Sequence, residues 1–299
     1  MISGLKHIIN KLFHVYDYKD ISTWDYPPES NRPIYGIYHV FCTHGWQRLV
    51  KDQIRHLKES GLANVTCKLY VSVITPSEDE VIELLNLINI PNCEIISFQK
   101  DYWQYEYPAL TFVKKLAMQK DCFIYYFHTK GVSYQSIEIN DRLYQSFMKK
   151  IESWRKMMEY FIFSKWKVAV NTLSAGYDTY GCYRWPPKNY TMFSGNFWWT
   201  RSEYAKTLPE FDEEVIRKNR FFSETWLFTQ GNNVFSPFET VADLYFVNIP
   251  KSIYTMKYPP ISDRLYFIIV YNWRKFLKHA FNINYKNRCQ KRFQQLKKV

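Results

Sequence analysis

The sequence predicts an α/β protein with a mostly parallel sheet flanked by helices, a mixed second half and a helical C-terminal tail. Three observations point there. Apolar strand-like runs alternate with helix-period segments over the first 130 or so residues. That regularity then gives way to a long helical stretch and scattered short strands. The chain also has 299 residues, 46% of them hydrophobic and 19% aromatic, enough to fill a sizeable core.

A polar lead-in with Pro27, Pro28 and Pro33 precedes the run Ile34 to Cys42, which reads as a buried strand. Trp46 to Ser60 follows with Leu49, Val50, Ile54 and Leu57 at helical spacing, and Gly61 stands where that helix ends. Lys68 to Ile74 is the second strand. Pro76, Ser77 and the acids Glu78, Asp79 and Glu80 open the next helix, their charge complementing its dipole from a solvated face. Cys93 to Phe98 is a third strand, Pro108 opens a helix to Gln119, and Cys122 to Phe127 is a fourth strand.

Beyond it, Ser136 to Phe163 reads as a long helix, Lys167 to Asn171 as a short strand, and Tyr177 to Tyr190 as irregular. Met192 to Thr200 and Tyr245 to Ile249 are further strand candidates, and Asp212 to Thr229 reads as helical with a break near Phe221. The organisation expected is a lead-in over 1–32, a main domain over 33–260 and a basic amphipathic tail over 261–299.

Several function classes are disfavoured early. Glycine is scarce, nine in all, and neither Gly-x-Gly-x-x-Gly nor a Gly-Lys-Ser/Thr phosphate loop occurs. The longest wholly apolar or aromatic run, Leu265 to Tyr271, is far shorter than the roughly 20 residues that span a bilayer. Met1 to Phe13 lacks the pattern of a secretory signal, so cytosolic residence is the expectation. The six cysteines, Cys42, Cys67, Cys93, Cys122, Cys182 and Cys289, have no Cys-x-x-Cys spacing and read as reduced, buried thiols.

Net charge is +12, but Arg264 to Val299 alone holds ten Lys/Arg and no acid, which leaves +2 for everything before it. A nucleic-acid-binding domain would spread its basic footprint over the folded body, so nucleic acid is not an expected partner. In the tail, Trp273, Phe276, Leu277, Ala280 and Phe281 share one helical face, with Arg274, Lys275 and Lys278 on the other. That stripe can dock on the domain or lie on an anionic membrane surface. Ile8, Ile9, Leu12 and Phe13 form a weaker stripe at the other end.

Ligands of open α/β sheets bind beyond the carboxyl ends of the strands. That rule selects Cys42-Thr43-His44 after the first strand, the segment after Phe98, and His128-Thr129-Lys130-Gly131 after the fourth strand. Lys130 there can hold a diphosphate as a point charge, and Gly131 permits a tight turn or close ligand approach. His39 and His44 read as core or surface histidines, not as ligands.

The segment Tyr125-Tyr126-Phe127-His128-Thr129-Lys130-Gly131-Val132-Ser133 resembles a group of bacterial and large-virus glycosyltransferases of the GT-A fold. Tyr105-Glu106-Tyr107-Pro108-Ala109-Leu110, Trp154-Arg155 and Phe193-Ser194-Gly195-Asn196-Phe197-Trp198-Trp199 add to the likeness. The His-Thr-Lys tripeptide is also similar to that of rhamnan-synthesis glycosyltransferases. The resemblance spans about Pro33 to Pro250. It implies transfer of a sugar from a nucleotide-sugar donor to a glycan or lipid-linked acceptor, in the synthesis of a surface polysaccharide.

One departure matters. The Asp-x-Asp that such enzymes usually place at the end of the fourth strand to hold Mg²⁺ or Mn²⁺ is replaced by His128-Thr129-Lys130. Lys130 is expected to supply the charge instead, with no divalent metal required; the other reading makes His128 a lone metal ligand. An inverting transfer needs a base for the acceptor hydroxyl, and Glu224, a carboxylate among large apolar residues, is the candidate, with Asp212 and Asp178 as fallbacks.

Ser194, Gly195 and Asn196, with Trp198 and Trp199, are expected on the acceptor side, although strand alternation lets at most one tryptophan reach it. The rival readings are a non-enzymatic carbohydrate- or nucleic-acid-binding protein and an inactive homologue.

Overall fold

A computed structural model describes residues 13–135 and 140–297. Strand β1 (Tyr16–Tyr18) leads in, and β2 (Ile34–Phe41), α1 (Trp46–Glu59), β3 (Thr66–Ile74), α2 (Glu78–Ile88), β4 (Cys93–Gln99), α3 (Tyr107–Gln119) and β5 (Phe123–His128) then alternate as expected. Helix α4 (Arg142–Glu159) runs through a π turn at Tyr160–Ser164 into α5 (Trp166–Ser174). The mixed part holds the short strands β6 (Thr179–Tyr180), β7 (Arg184–Trp185), β8 (Met192–Phe193), β9 (Trp198–Arg201), β10 (Val234–Phe235) and β11 (Phe238–Thr240). Helices α6 (Ile261–Phe281) and α7 (Tyr285–Leu296) close the chain.

Seven strands form one sheet in the order β10-β6-β9-β5-β2-β3-β4. Only β9 runs against its neighbours, β5 and β6. The other pairings in this sheet are parallel. This is the mostly parallel, helix-flanked α/β architecture that the sequence predicts.

Both faces of the sheet are covered, which is why its strands read as continuous apolar runs. Phe123, Tyr125 and Phe127 enter one core with Tyr38, Val71 and Trp199. Ile124 and Tyr126 enter the other with Ile37, Leu110 and Trp198. Local chemistry sets the helix starts: the Ser77 side chain accepts the Asp79 N–H at 3.2 Å, and the Asp141 carboxylate accepts the Tyr144 N–H at 2.9 Å. Glu78 and Asp79 are solvated as expected, whereas Glu80 turns inward and accepts from the Trp46 indole at 3.2 Å.

Three expected strands differ. Lys167 to Asn171 lies within helix α5, because Val168 to Leu173 are buried all round and carry no readable period. Met192 to Thr200 is two strands, β8 and β9, parted by a turn with Gly195 at φ 91° and Asn196 at φ 58°. Tyr245 to Ile249 forms no strand; Asp243 turns the chain there by accepting the Tyr245 N–H at 3.0 Å, and Ser153 Oγ takes the Ile249 N–H.

The start of the expected long helix, residues 136–139, and Ile8, Ile9 and Leu12 lie outside the described residues. Cys42, Cys122, Cys182 and Cys289 are buried free thiols, but Cys67 is exposed and Cys93 only partly covered, a correction to the all-buried reading. Both ends join the body. Val15 and Ile21 of the lead-in belong to the larger core, and β1 pairs with β11. From the tail, Tyr285 and Cys289 pack with Phe147 and Ile151.

Candidate active site at the centre of the sheet

The chain lays β3 and β4 to one side of β2 and then returns to lay β5 on the other. The exits of β2 and β5 therefore diverge at a topological switch point, where open α/β sheets bind ligands. Register places His39 beside His128. The Thr129 N–H donates to the His39 carbonyl at 3.1 Å, and the Thr129 hydroxyl accepts the Phe41 N–H at 3.0 Å. From α1, buried Gln53 donates to the His128 carbonyl at 3.1 Å and accepts the Tyr38 hydroxyl at 2.8 Å. Thr129 thus stitches two strands, and it is buried, 4% exposed. Thr43 is half-buried at the neighbouring exit, its carbonyl accepting the Trp46 N–H at 3.0 Å.

Gly131 turns the chain at φ 84°, and a Cβ there would meet Ile151 Cγ2 at 2.4 Å, so the position excludes side chains twice over. Just before it, Lys130 leaves the sheet and lays its ammonium over the Trp154 ring, 4.7 Å from the centroid. That ammonium makes no hydrogen bond or ion pair with another described residue. Burial lowers its proton affinity; Glu224 and then Glu106 oppose that, and Lys286 adds to it. Lys130 is therefore a half-buried cation that feels the charge of two carboxylates without pairing with either, not the exposed side chain of an ordinary loop.

Glu106, at the N-cap of α3, accepts the Tyr126 hydroxyl at 2.8 Å and also takes the Asn196 amide. Its other oxygen is 3.7 Å from His128 Nδ1. His128 donates from Nε2 to the Gly195 carbonyl at 2.9 Å, which fixes the tautomer. Burial, with Lys130 adding to it, pushes its pKa down to about 3, so the ring is neutral. Glu224 lies half-buried in the helical turn Phe222–Thr225, close enough to influence Lys130, His128, Tyr126 and Tyr245. Its carboxylate makes no hydrogen bond or ion pair with another described residue.

The expected acceptor residues are placed differently. Trp198 and Trp199 are both sealed in the cores, 1% and 0% exposed, their indoles donating to Asn196 Oδ1 and the Ile162 carbonyl. Neither offers a face to a sugar. Ser194 and Asn196 are also buried, and the Asn196 amide is committed to Glu106 and the Ser223 carbonyl. Of these, Asn196 and Trp198 join the hydrogen-bonded chain that ends on Glu106. Gly195 brings the backbone against α4, where a Cβ would meet Met158 Sδ at 2.4 Å.

Of the fallback acids, Asp178 pairs with Arg201 at 2.6 Å; Arg201 stands opposite Phe123, at the far end of β5 from His128. Asp212 is exposed on the surface. His39 is buried and His44 exposed.

Sequence reasoning missed four contributors. Glu106 had a signal, a lone acid just before a proline-started helix that follows a strand exit. Trp154 is 4% exposed, and its Nε1 is the one buried side-chain polar atom without a partner among the described residues. Its neighbour Arg155 points the other way, binding Asp52 at 2.6 Å and Glu159, and locks α4 onto α1. Tyr245 packs edge-on to Trp154, and Lys286 of α7 sits 4.2 Å over the Tyr245 ring. Nothing local marks Lys286 off from the other tail cations.

Among the described residues, no group of three or more His, Cys, Asp or Glu is placed to hold a metal ion. No helix among them is long and apolar enough to cross a membrane. No family model matches the chain, and no curated protein does. Among solved structures the chain is similar to a candidate nucleotide-diphospho-sugar transferase from Desulfovibrio desulfuricans G20. The two are 12% identical, with a TM-score of 0.28, over 64% of this chain and 71% of that one.

Proposed function

We propose that this protein transfers a sugar from a nucleoside-diphosphate-sugar to a hydroxyl of a glycan or lipid-linked acceptor, in the synthesis of a surface polysaccharide. One observation carries the reading: Lys130, an unpaired, half-buried cation at the switch point of the sheet, stands over the Trp154 ring. A cation held out of water without a counter-ion is costly, and a diphosphate is an anion that would relieve that cost. The unpartnered Trp154 Nε1 offers a neutral donor beside it, and Lys286 a second positive charge.

In this reading Lys130 neutralises the donor diphosphate and stabilises the charge that grows on it as the bond to the anomeric carbon breaks. Glu224, whose carboxylate is uncommitted, accepts the proton of the acceptor hydroxyl as that oxygen bonds the anomeric carbon from the opposite side, an inverting transfer. Glu106, tied to Tyr126 and Asn196, positions these groups. Lys130 takes the place of a metal, and the reaction runs without one.

Titrating the protein with a panel of nucleoside diphosphates and nucleotide-sugars by calorimetry tests the proposal. Saturable binding of one nucleotide class, weakened about tenfold or more in Lys130→Met, supports it. Binding only to oligonucleotides or free glycans, with no nucleotide bound, would overturn it.

A further inference from the structure

Helix α6 is apolar on two faces, one buried and one exposed. Its buried residues are Phe267, Ile268 and Tyr271. Of its cations, Arg274 stacks inward on Tyr285 at 3.7 Å, while Lys275 and Lys278 stay exposed along the flank of the helix, near Tyr271 and Phe246 at 5.8 and 5.7 Å. The opposite face holds Leu265, Ile269, Trp273, Phe276 and Ala280, at the i, i+4, i+8, i+11, i+15 spacing of one helical stripe. Leu265, Ile269, Trp273 and Phe276 are 41%, 60%, 56% and 50% exposed. The tail stripe singled out in the sequence therefore does not dock on the domain; it faces outward.

A contiguous exposed apolar face marks a surface that something covers. The occupant follows from charge. The chain from Arg264 onward has ten Lys/Arg and no acid. Tyr266, on the border of the stripe, also borders a cleft of about 350 Å³ lined by Lys149, Lys150 and Lys156, with Glu152 as its acid. Lys156 pairs with Glu152 and Arg292 with Asp141, but the cations of this end still far outnumber its acids, which favours a negatively charged surface over a protein partner of mixed charge. A bilayer of anionic lipid would match both features, with apolar side chains among the acyl chains and flexible lysines reaching the headgroups.

We propose that the outward face of α6 lies in the surface of an anionic lipid bilayer, holding the protein peripherally on the membrane. This goes beyond the sugar-transfer reading and does not depend on it, since its test reads no activity.

The test is flotation of the full chain with phosphatidylcholine vesicles, with and without ~30% phosphatidylserine, at low and high salt. The expected result is binding to the anionic vesicles that falls severalfold at high salt and is weak on phosphatidylcholine alone. Ile269→Glu and Trp273→Glu should each weaken it by about tenfold, with an unchanged melting curve because both positions are exposed. Absence of binding, or equal binding to both vesicle types, would overturn the proposal. So would a dimer in sedimentation that Trp273→Glu dissolves, since the face would then meet a second copy. Vesicle binding that appears only after removal of residues 1–12 would also overturn it, by showing that the chain's own start covers the stripe.

Discussion

Replacing Lys130 by Met keeps an unbranched apolar stem against Trp154 and removes only the charge. The cation–π attraction that disappears is worth about 0.5–2 kcal/mol, and relief of a half-buried unpaired charge offsets it, so stability should move by less than about 1 kcal/mol. Nucleotide affinity should respond more strongly. At ~4 Å and an effective dielectric constant of ~20, one ammonium and one phosphate charge attract by about 4 kcal/mol before desolvation. A charge-assisted hydrogen bond nets about 1.5–3 kcal/mol, which converts to a loss of roughly 10- to 150-fold in affinity. Lys286 supplies a second cation nearby and would hold the loss toward the lower end. Calorimetry with the preferred nucleoside diphosphate, beside a thermal melt of each protein, measures both quantities. A folded Lys130→Met protein with unchanged nucleotide affinity would refute the reasoning, and the cation would then be a structural partner of Trp154 alone.

Three further outcomes are expected. Glu224→Gln should cut turnover by roughly 10²- to 10⁴-fold while nucleotide binding holds or tightens, because a negative charge near Lys130 is lost; unchanged turnover in a coupled nucleotide-release assay would exclude Glu224 as the base. Activity should survive EDTA; silencing that Mn²⁺ reverses would instead assign His128 Nδ1 and Glu106 as metal ligands. Stability should fall between pH 7 and pH 5: His39 and His128 have pKa values of about 4 and about 3, below the unfolded value of ~6.5, so the unfolded chain takes up protons first. Each ring then contributes a loss of up to about 2 kcal/mol by pH 5, and a melting temperature that holds steady across that range would contradict their buried, neutral state.

The parallel half was legible because each strand ends at a recognisable break and each helix carries its own start signal. Ser77 before three acids and Pro108 in the first turn are local chemistry that tertiary context did not overrule. Two of the failures share a cause. Val168 to Asn171, Trp198 and Trp199 sit where every side is covered, so burial erases the difference between a strand, a helix and an exposed platform. A tryptophan pair beside a glycine reads as a sugar-binding surface, but here the indoles fill the two cores on either side of β9 and donate inward.

The same limit explains why the site was half visible. His128 to Gly131 announce themselves because a polar tetrad interrupts an apolar strand, and the strand's position in the sheet gives that interruption its meaning. Glu106, Trp154, Tyr245 and Lys286 come from four other segments and converge only through topology: α3 starts beside β5, α4 crosses the loop after it, and α7 returns to pack on α4. Their roles follow from what each leaves unsatisfied. Arg155 has Asp52 and Glu159, and Asn196 has Glu106, so these polar groups are spent on holding the fold. Lys130, Glu224 and Trp154 Nε1 have no such partner among the described residues and share one corner of the molecule. Cations without acids recur along the tail, but those exposed on α6 and α7 are hydrated and unpairing them costs little. Lys130 differs because burial makes its missing partner expensive, and that cost is the physical reason to look for an anionic ligand there and not at the more basic end of the chain.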